Sequence, residues 1–193
     1  MVDEFLKSTD VIDWQHPEVA ARARTLRGDL TSVEDIARRC FEWVRDEVTH
    51  TVDAGATVVT CAASEVLREG TGYCYAKSHL LAAVLRANAI PAGLCYQRLS
   101  LDPEGSRFCL HGFNAVFLPS VGWYRVDARG NREDIDAQFR PPDERLAFTI
   151  RVPGEATLQD IWSDPLPIVV KALRAHTDAQ ALAENLPDLL PSR

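Results

Sequence analysis

The stretch Glu69–Gly93, "EGTGYCYAKSHLLAAVLRANAIPAG", places a cysteine between a glycine-containing turn and a strongly patterned helix. The apolar residues that recur at helical spacing on one face are Ala76, Leu80, Ala83, Val84 and Ala87. Ile90-Pro91 is expected to end the helix. Cys74 therefore lies at the first turn of the helix and not in its interior.

A cysteine at the start of a helix has particular chemistry. The first turn carries unpaired backbone N–H groups and about half a positive charge. A thiol in that position is biased toward thiolate, and the same N–H groups are suited to hold an oxyanion. Gly70 and Gly72 permit the tight turn that leaves the sulfur accessible. The placement of Cys74 thus favours a nucleophile.

A nucleophilic cysteine needs a general base, and four of the five histidines are poorly placed for that role. His79 lies on the helix of Cys74 but about 140° around its axis, so it points away. His16 and His50 are expected at helix boundaries, and His176 falls in the C-terminal segment.

His111 is the best candidate for the base, and Asp127 for the group that orients it. His111 lies near the start of a predicted strand in "FCLHGFNAVFL", and Asp127 ends the next strand in "WYRVDARG". On paired antiparallel strands, the two residue numbers of every pair add up to the same sum. Because 111 and 127 add up to an even number, His111 and Asp127 share a face only if that sum is also even. A two-residue turn at Ser120-Val121 would put them on opposite faces. We therefore predict an odd-length connection, such as Pro119 to Val121, or a bulge.

Length and composition indicate one globular domain. The chain has 193 residues, 46% hydrophobic and 25% charged, and no apolar run of the roughly 18 residues that cross a membrane. A formal charge of −7 argues against nucleic acid as a partner. The acidic start "MVDEFLKSTD" lacks the features of a secretory signal, so we expect a cytoplasmic protein with no membrane partner. The sequence leaves the oligomeric state open.

The cysteines do not form a recognisable metal or redox motif. There are five, none spaced as C-x-x-C: Cys40, Cys61, Cys74, Cys95 and Cys109. We expect free thiols, and neither a metal nor another cofactor. Cys40 fits the apolar stripe of its helix and is expected in the core. A zinc site using Cys109 and His111 with another cysteine is a weaker alternative.

The order of elements predicts an α+β fold, with N-terminal helices and the cysteine-bearing helix packed against an antiparallel sheet. We expect a single domain over 1–193, with an N-terminal helical part (1–54), a core (55–140) and a C-terminal packing segment (141–193). Pro17 and Gly28 delimit the first helix, and Thr31 with Glu34 resembles a capping box for the second. "AGLCYQRLSL" predicts a strand, and a last helix is expected from about 167 to 175 or beyond.

Three segments together resemble the transglutaminase-like superfamily, whose core has papain-type architecture. They are "FEWVRDEV", the cysteine stretch and "HGFNAVFLPSVGWYRVDARGN", so the resemblance covers roughly residues 30 to 131. It implies a Cys-His-Asp catalytic triad with Cys74 as nucleophile, His111 as general base and acid, and Asp127 as the orienting carboxylate. Papain-like proteases instead place the histidine roughly 130 to 150 residues after the cysteine; here the distance is 37.

The sequence departs from the superfamily at one notable position. Phe113 stands where a tryptophan often follows the histidine, and the extra β domains and calcium sites of the large animal transglutaminases have no counterpart here. The aromatic residues Tyr73, Tyr75 and Trp123 are weak candidates for an acyl-binding groove, or else core residues. Asn114 is a further weak candidate for a polar substrate contact.

The resemblance and the residues together predict a thiol-dependent acyl-transfer enzyme. The favoured activity is that of a cysteine protease or amidase: hydrolysis of a peptide or side-chain amide through a thioester intermediate. Its partner would be a peptide, protein or small amide substrate. Two alternatives stay open: acyltransferase activity toward an amine, as in transglutaminases, and an inert module that only binds a peptide or protein.

Overall fold

The computed structural model describes residues 2–189 and shows the expected α+β fold. Its α-helices are α1 (Pro17–Arg27), α2 (Val33–Glu47), α3 (Ala63–Glu69), α4 (Cys74–Ala87), α5 (Pro167–Ala175) and α6 (Ala179–Glu184). Its strands are β1 (Thr49–His50), β2 (Thr71–Gly72), β3 (Ala92–Ser100), β4 (Phe108–Leu118), β5 (Gly122–Val126), β6 (Gln138–Arg140), β7 (Asp143–Arg145) and β8 (Ala156–Thr157). No helix in this range is long and apolar enough to cross a membrane.

Helix α4 is the centre of the molecule. Helices α1, α2 and α3 pack against it, and strands β3 and β4 cover its other side. The predicted apolar face, widened by Leu81 and Leu85, is buried, but burial extends around the whole helix: every residue from Cys74 to Arg86 is buried. The polar side chains are accommodated because backbone carbonyls receive them. The Arg86 guanidinium donates to Lys7, Ala92 and Ser163 carbonyl oxygens, so its burial leaves no lost hydrogen bond.

The first two helices begin and end near their predicted positions. Pro17 is the first residue of α1 and Gly28 follows its end with a positive φ of 50°. For α2 the predicted cap at Thr31 was wrong. Ser32 has the extended backbone of an N-cap residue, and its Oγ accepts a hydrogen bond from Asp35 N at 3.3 Å.

The main sheet is antiparallel with strand order β5-β4-β3-β8. Leu118 pairs with Gly122 and Asn114 with Val126, so paired residue numbers sum to the even number 240. The connection between β4 and β5 is Pro119–Val121, which confirms the predicted odd length. An even register keeps His111 and Asp127 on one face of the sheet.

The C-terminal segment contributes more than the packing role predicted for it. Strand β8 extends the sheet at β3, and Leu110 N donates to Pro187 O at 2.7 Å. The chain from 141 onward thus lies beside the strand that carries His111. All five cysteines are free thiols, and Cys40 is fully buried, as predicted.

Candidate active site

Cys74 is the first residue of α4, and no side chain caps the start of that helix. Its Sγ accepts a hydrogen bond from Gly112 N at 3.5 Å, and the residue is 9% exposed. An N–H group and the helix start both present partial positive charge to the sulfur.

Gly112 allows strand β4 to lie directly against the start of α4. A Cβ on this residue would stand 3.0 Å from Tyr75 Cδ1 and 3.1 Å from Tyr75 Cα. No side chain larger than hydrogen fits without moving the strand or the helix. Because His111 precedes Gly112, this close approach also sets the distance between the imidazole and the sulfur.

His111 and Asp127 form a buried pair. His111 Nε2 lies 2.7 Å from Asp127 Oδ2, and the two side chains are 5% and 0% exposed. Since Asp127 occupies Nε2, Nδ1 is the ring nitrogen left for Cys74, whose sulfur neighbours the ring. Phe148 packs edge-on against the imidazole with centroids 4.9 Å apart, and Phe113 is stacked at 6.1 Å. Phe113, the departure from the superfamily pattern, thus still supplies an aromatic wall.

Asp127 is held by hydrogen bonds from two backbone groups besides the histidine. Arg129 N donates to Oδ1 and Ala147 N donates to Oδ2, both at 3.1 Å. Its carboxylate pairs with no arginine side chain among the described residues, although several arginines are near in sequence. The orientation of the aspartate is therefore fixed by backbone groups of two segments, the loop after β5 and the C-terminal segment.

The electrostatics favour an imidazolium at His111 beside the Asp127 carboxylate. Burial by itself lowers the pKa of His111, but the Asp127 carboxylate and the Cys74 sulfur outweigh it and raise the pKa to about 10. Burial by itself raises the pKa of Asp127. His111 and the two backbone N–H donors lower it by more, so the pKa of this carboxyl lies below its usual value. These two shifts describe an ion pair, His111⁺ with Asp127⁻.

Cys74 and His111 line a cleft of about 330 Å³. Its polar lining consists of His50, Asp53, Ser100, Arg129, Arg132, Arg151 and Glu155. Asp53 joins two of the arginines: Arg129 donates to both carboxylate oxygens, and Arg132 Nη1 lies 3.1 Å from Oδ1. Within residues 2–189 no three His, Cys, Asp or Glu side chains converge as a metal site requires. Cys109 also lines the cleft, but among the described residues it does not form a metal-binding group with His111 and another cysteine.

Two of the four weak substrate-binding candidates lie at the cleft. Tyr73 and Tyr75 line it, with their hydroxyls bonded to Ala179 O and Leu110 O. The prediction for Asn114 was wrong, because its amide nitrogen donates to Ser78 and Gly93 carbonyls inside the protein.

For Trp123 the alternative of a packing residue is the one observed. Its ring packs edge-on against Phe5 and Phe117, with centroids 4.7 and 5.6 Å away, in a cluster that does not border the cleft. Trp123 therefore contributes to packing of the outer side of the sheet.

Several residues at the cleft were missed by the sequence analysis. His50 was assigned to a helix boundary, yet it lines the cleft beside Tyr73. Phe148 and Ala147 belong to the segment interpreted as packing only. The one sequence signal for these residues was Arg129, which lies two residues after Asp127. The backbone N–H of Arg129 bonds Asp127, and its side chain bonds Asp53.

Comparison with known families decides the relationship. The chain matches the core model of the transglutaminase-like superfamily over residues 20–128. The chain belongs to this superfamily. Cys74, His111 and Asp127 all lie within the matched range, and the fold that the resemblance implied is the one observed. No curated protein matches the chain.

The solved structures that resemble this chain are distant in sequence. A candidate cysteine protease from Cytophaga hutchinsonii is 20% identical with a TM-score of 0.54, covering 66% of this chain and 42% of that one. The periplasmic domain of TgpA from Pseudomonas aeruginosa is 21% identical with a TM-score of 0.48, over 64% of this chain and 45% of that one. This chain thus matches less than half the length of either structure.

Proposed function

We propose that this transglutaminase-like protein is a cysteine hydrolase that cleaves a peptide or side-chain amide bond through a thioester on Cys74. The observation that carries the proposal is the meeting of three groups at one cleft. The Cys74 sulfur lies at the start of α4 and accepts a hydrogen bond from Gly112 N, the His111 imidazole lines the same cleft, and the buried Asp127 carboxylate lies 2.7 Å from that imidazole. Nucleophile, base and orienting group in that order are the requirements of thiol acyl transfer.

The chemistry has two halves. The Cys74 thiolate attacks the amide carbonyl carbon and forms a C–S bond, while the carbonyl oxygen becomes an oxyanion near the N–H groups at the start of α4. The His111 imidazolium then gives its proton to the departing nitrogen as the C–N bond breaks. A thioester and a free amine result, with the imidazole left neutral.

Water completes the cycle. Neutral His111 takes a proton from the attacking water, whose oxygen bonds to the thioester carbon, and the C–S bond breaks to release a carboxylic acid and the thiolate. Asp127 keeps the ring oriented through both halves, because its other contacts to Arg129 N and Ala147 N do not depend on the charge of the histidine.

The proposal is tested by searching for the thioester. The protein is incubated with a panel of peptide anilides and glutamine-containing peptides, and intact mass and peptide mapping follow acyl adducts and products. Turnover with an adduct on Cys74, lost in Cys74→Ala and kept in Cys95→Ala, supports it; Cys95 is buried away from the cleft. Including methylamine shows whether an amine or water accepts the acyl group. No adduct on Cys74 with any member would favour the inert binding module.

A further inference from the structure

A second histidine, His50, is built into the cleft next to the nucleophile. Strand β1 pairs in parallel with β2, so that His50 lies opposite Gly72, and Thr51 N donates to Gly72 O at 3.1 Å. Strand β2 leads directly into Tyr73 and Cys74. The imidazole packs edge-on against the Tyr73 ring with centroids 5.7 Å apart. The backbone that presents the sulfur therefore also fixes this ring.

The hydrogen-bonding capacity of His50 is unused by the protein. The residue is 9% exposed, its Nδ1 is shielded from solvent, and no partner among the described residues bonds either ring nitrogen. Buried polar atoms are normally paired, so an unpaired imidazole in a cleft calls for an explanation. Because Nδ1 is shielded and the ring lines the cleft, Nε2 is the ring nitrogen available to the cleft, which Cys74 also lines.

The surroundings of His50 favour a neutral ring with its proton on Nε2. Burial, followed by the charge of Arg129, lowers the pKa of His50 to about 3, against a smaller raising effect of Asp53 and further lowering by Lys77 and His111. A shielded N–H without an acceptor is more costly than a shielded lone pair without a donor. The single proton therefore resides on Nε2, which makes His50 a hydrogen-bond donor and not a competing base.

We propose that His50 Nε2–H donates a hydrogen bond to the substrate carbonyl oxygen and completes the oxyanion site together with the backbone N–H groups at the start of α4. This rests on the proposed thioester chemistry of Cys74. A neutral imidazole suits the role, because its N–H polarises a carbonyl without giving up the proton. The donor is also fixed in advance, since the β1–β2 pairing and the Tyr73 ring leave it little freedom.

The test compares two reactions of the same sulfur, of which only one passes through an oxyanion. p-Nitrophenyl acetate acylates Cys74 at a carbonyl, whereas iodoacetamide alkylates it by displacement of iodide. His50→Phe keeps a ring against Tyr73 but has no donor, and His176→Gln, outside the cleft, is the histidine control. If the Phe variant does not fold, His50→Ala gives the same comparison.

We expect His50→Phe to slow acylation about 10²- to 10³-fold, with the alkylation rate at pH 6 within about threefold of wild type. Unchanged acylation, or equal losses in both reactions, would overturn the role of His50 and leave the proposed function standing. If p-nitrophenyl acetate and the amide panel both fail to acylate Cys74 in the wild-type protein, the proposed function itself fails, and the role of His50 with it.

Discussion

His111 Nε2 and Asp127 Oδ2 lie 2.7 Å apart although His111 is on β4 and Asp127 directly follows β5, sixteen positions later in the sequence. The contact exists because the connection Pro119–Val121 gives strands β4 and β5 an even register. Two backbone N–H groups, one from the loop after β5 and one from the C-terminal segment, hold the aspartate in that position. The pair is thus a product of register and of long-range backbone contacts.

Replacing Asp127 by asparagine is expected to reduce the rate of acylation about 10²- to 10⁴-fold. Asparagine is similar in shape, but it is neutral and no longer stabilises the His111 imidazolium. The buried amide also replaces favourable contacts of the carboxylate, which lowers the free energy of unfolding by about 1–3 kcal/mol. The measurement is p-nitrophenyl acetate acylation together with urea denaturation. Asp143→Asn, on exposed β7, is the control and should behave as wild type; equal activity in both variants would remove Asp127 from the mechanism.

Replacing Gly112 by alanine should lower activity more than tenfold, because the new Cβ would stand 3.0–3.1 Å from Tyr75 and push β4 away from the start of α4. Overpacking of this kind costs about 1–3 kcal/mol. The control is Gly122→Ala: Gly122 has a φ of 77° but nothing within 4 Å of the added Cβ. It should lose comparable stability through backbone strain and keep its activity. Parallel losses of activity and stability in both variants would refute a geometric role for Gly112.

The contribution of His111 to the stability of the protein should decrease as the pH rises from about 6.5 to about 10. The pKa of His111 is raised to about 10 in the folded protein, so between its ordinary pKa and this value the folded state binds more protons than the unfolded state. The stabilisation is complete below the ordinary pKa and is lost as the pH rises through the folded one, with a slope of up to about 1.4 kcal/mol per pH unit. Urea denaturation at pH 6, 8 and 9.5 measures it.

The matched variant for this pH series is His111→Gln, which lacks the titrating ring. The difference in unfolding free energy between wild type and variant should shrink as the pH rises. A difference that is constant or grows over the same range would show that the folded state does not favour the imidazolium.

Local signals in the sequence were sufficient for most elements that position the site. Pro17 and Gly28 delimit α1, the spacing of Ala76 and Leu80 gives α4, and the parity of strand register follows from residue numbers alone. These features depend on residues that are close in sequence or on the alternation of side chains along a strand. A single sequence therefore contains all the information needed to predict them.

Features that depend on distant partners were not predictable in this way. The complete burial of α4 is possible because Arg86 and Lys77 donate to carbonyls supplied by other segments. His50 reaches the cleft through a two-residue parallel pairing with β2, which has no sequence signature of its own. The interior place of Asn114 likewise depends on the Ser78 and Gly93 carbonyls.

The most direct test of the account is the rate of iodoacetamide alkylation of each cysteine at pH 6, followed by peptide mapping. Cys74 and Cys109 are both 9% exposed and both line the cleft, so Cys109 is an internal control. Burial, followed by the charges of Cys74 and Asp188, raises the pKa of Cys109 to about 12. We predict that Cys74 is alkylated at least about tenfold faster than Cys109 and that His111→Gln removes the difference. Equally slow alkylation of the two thiols in the wild-type protein would contradict the account.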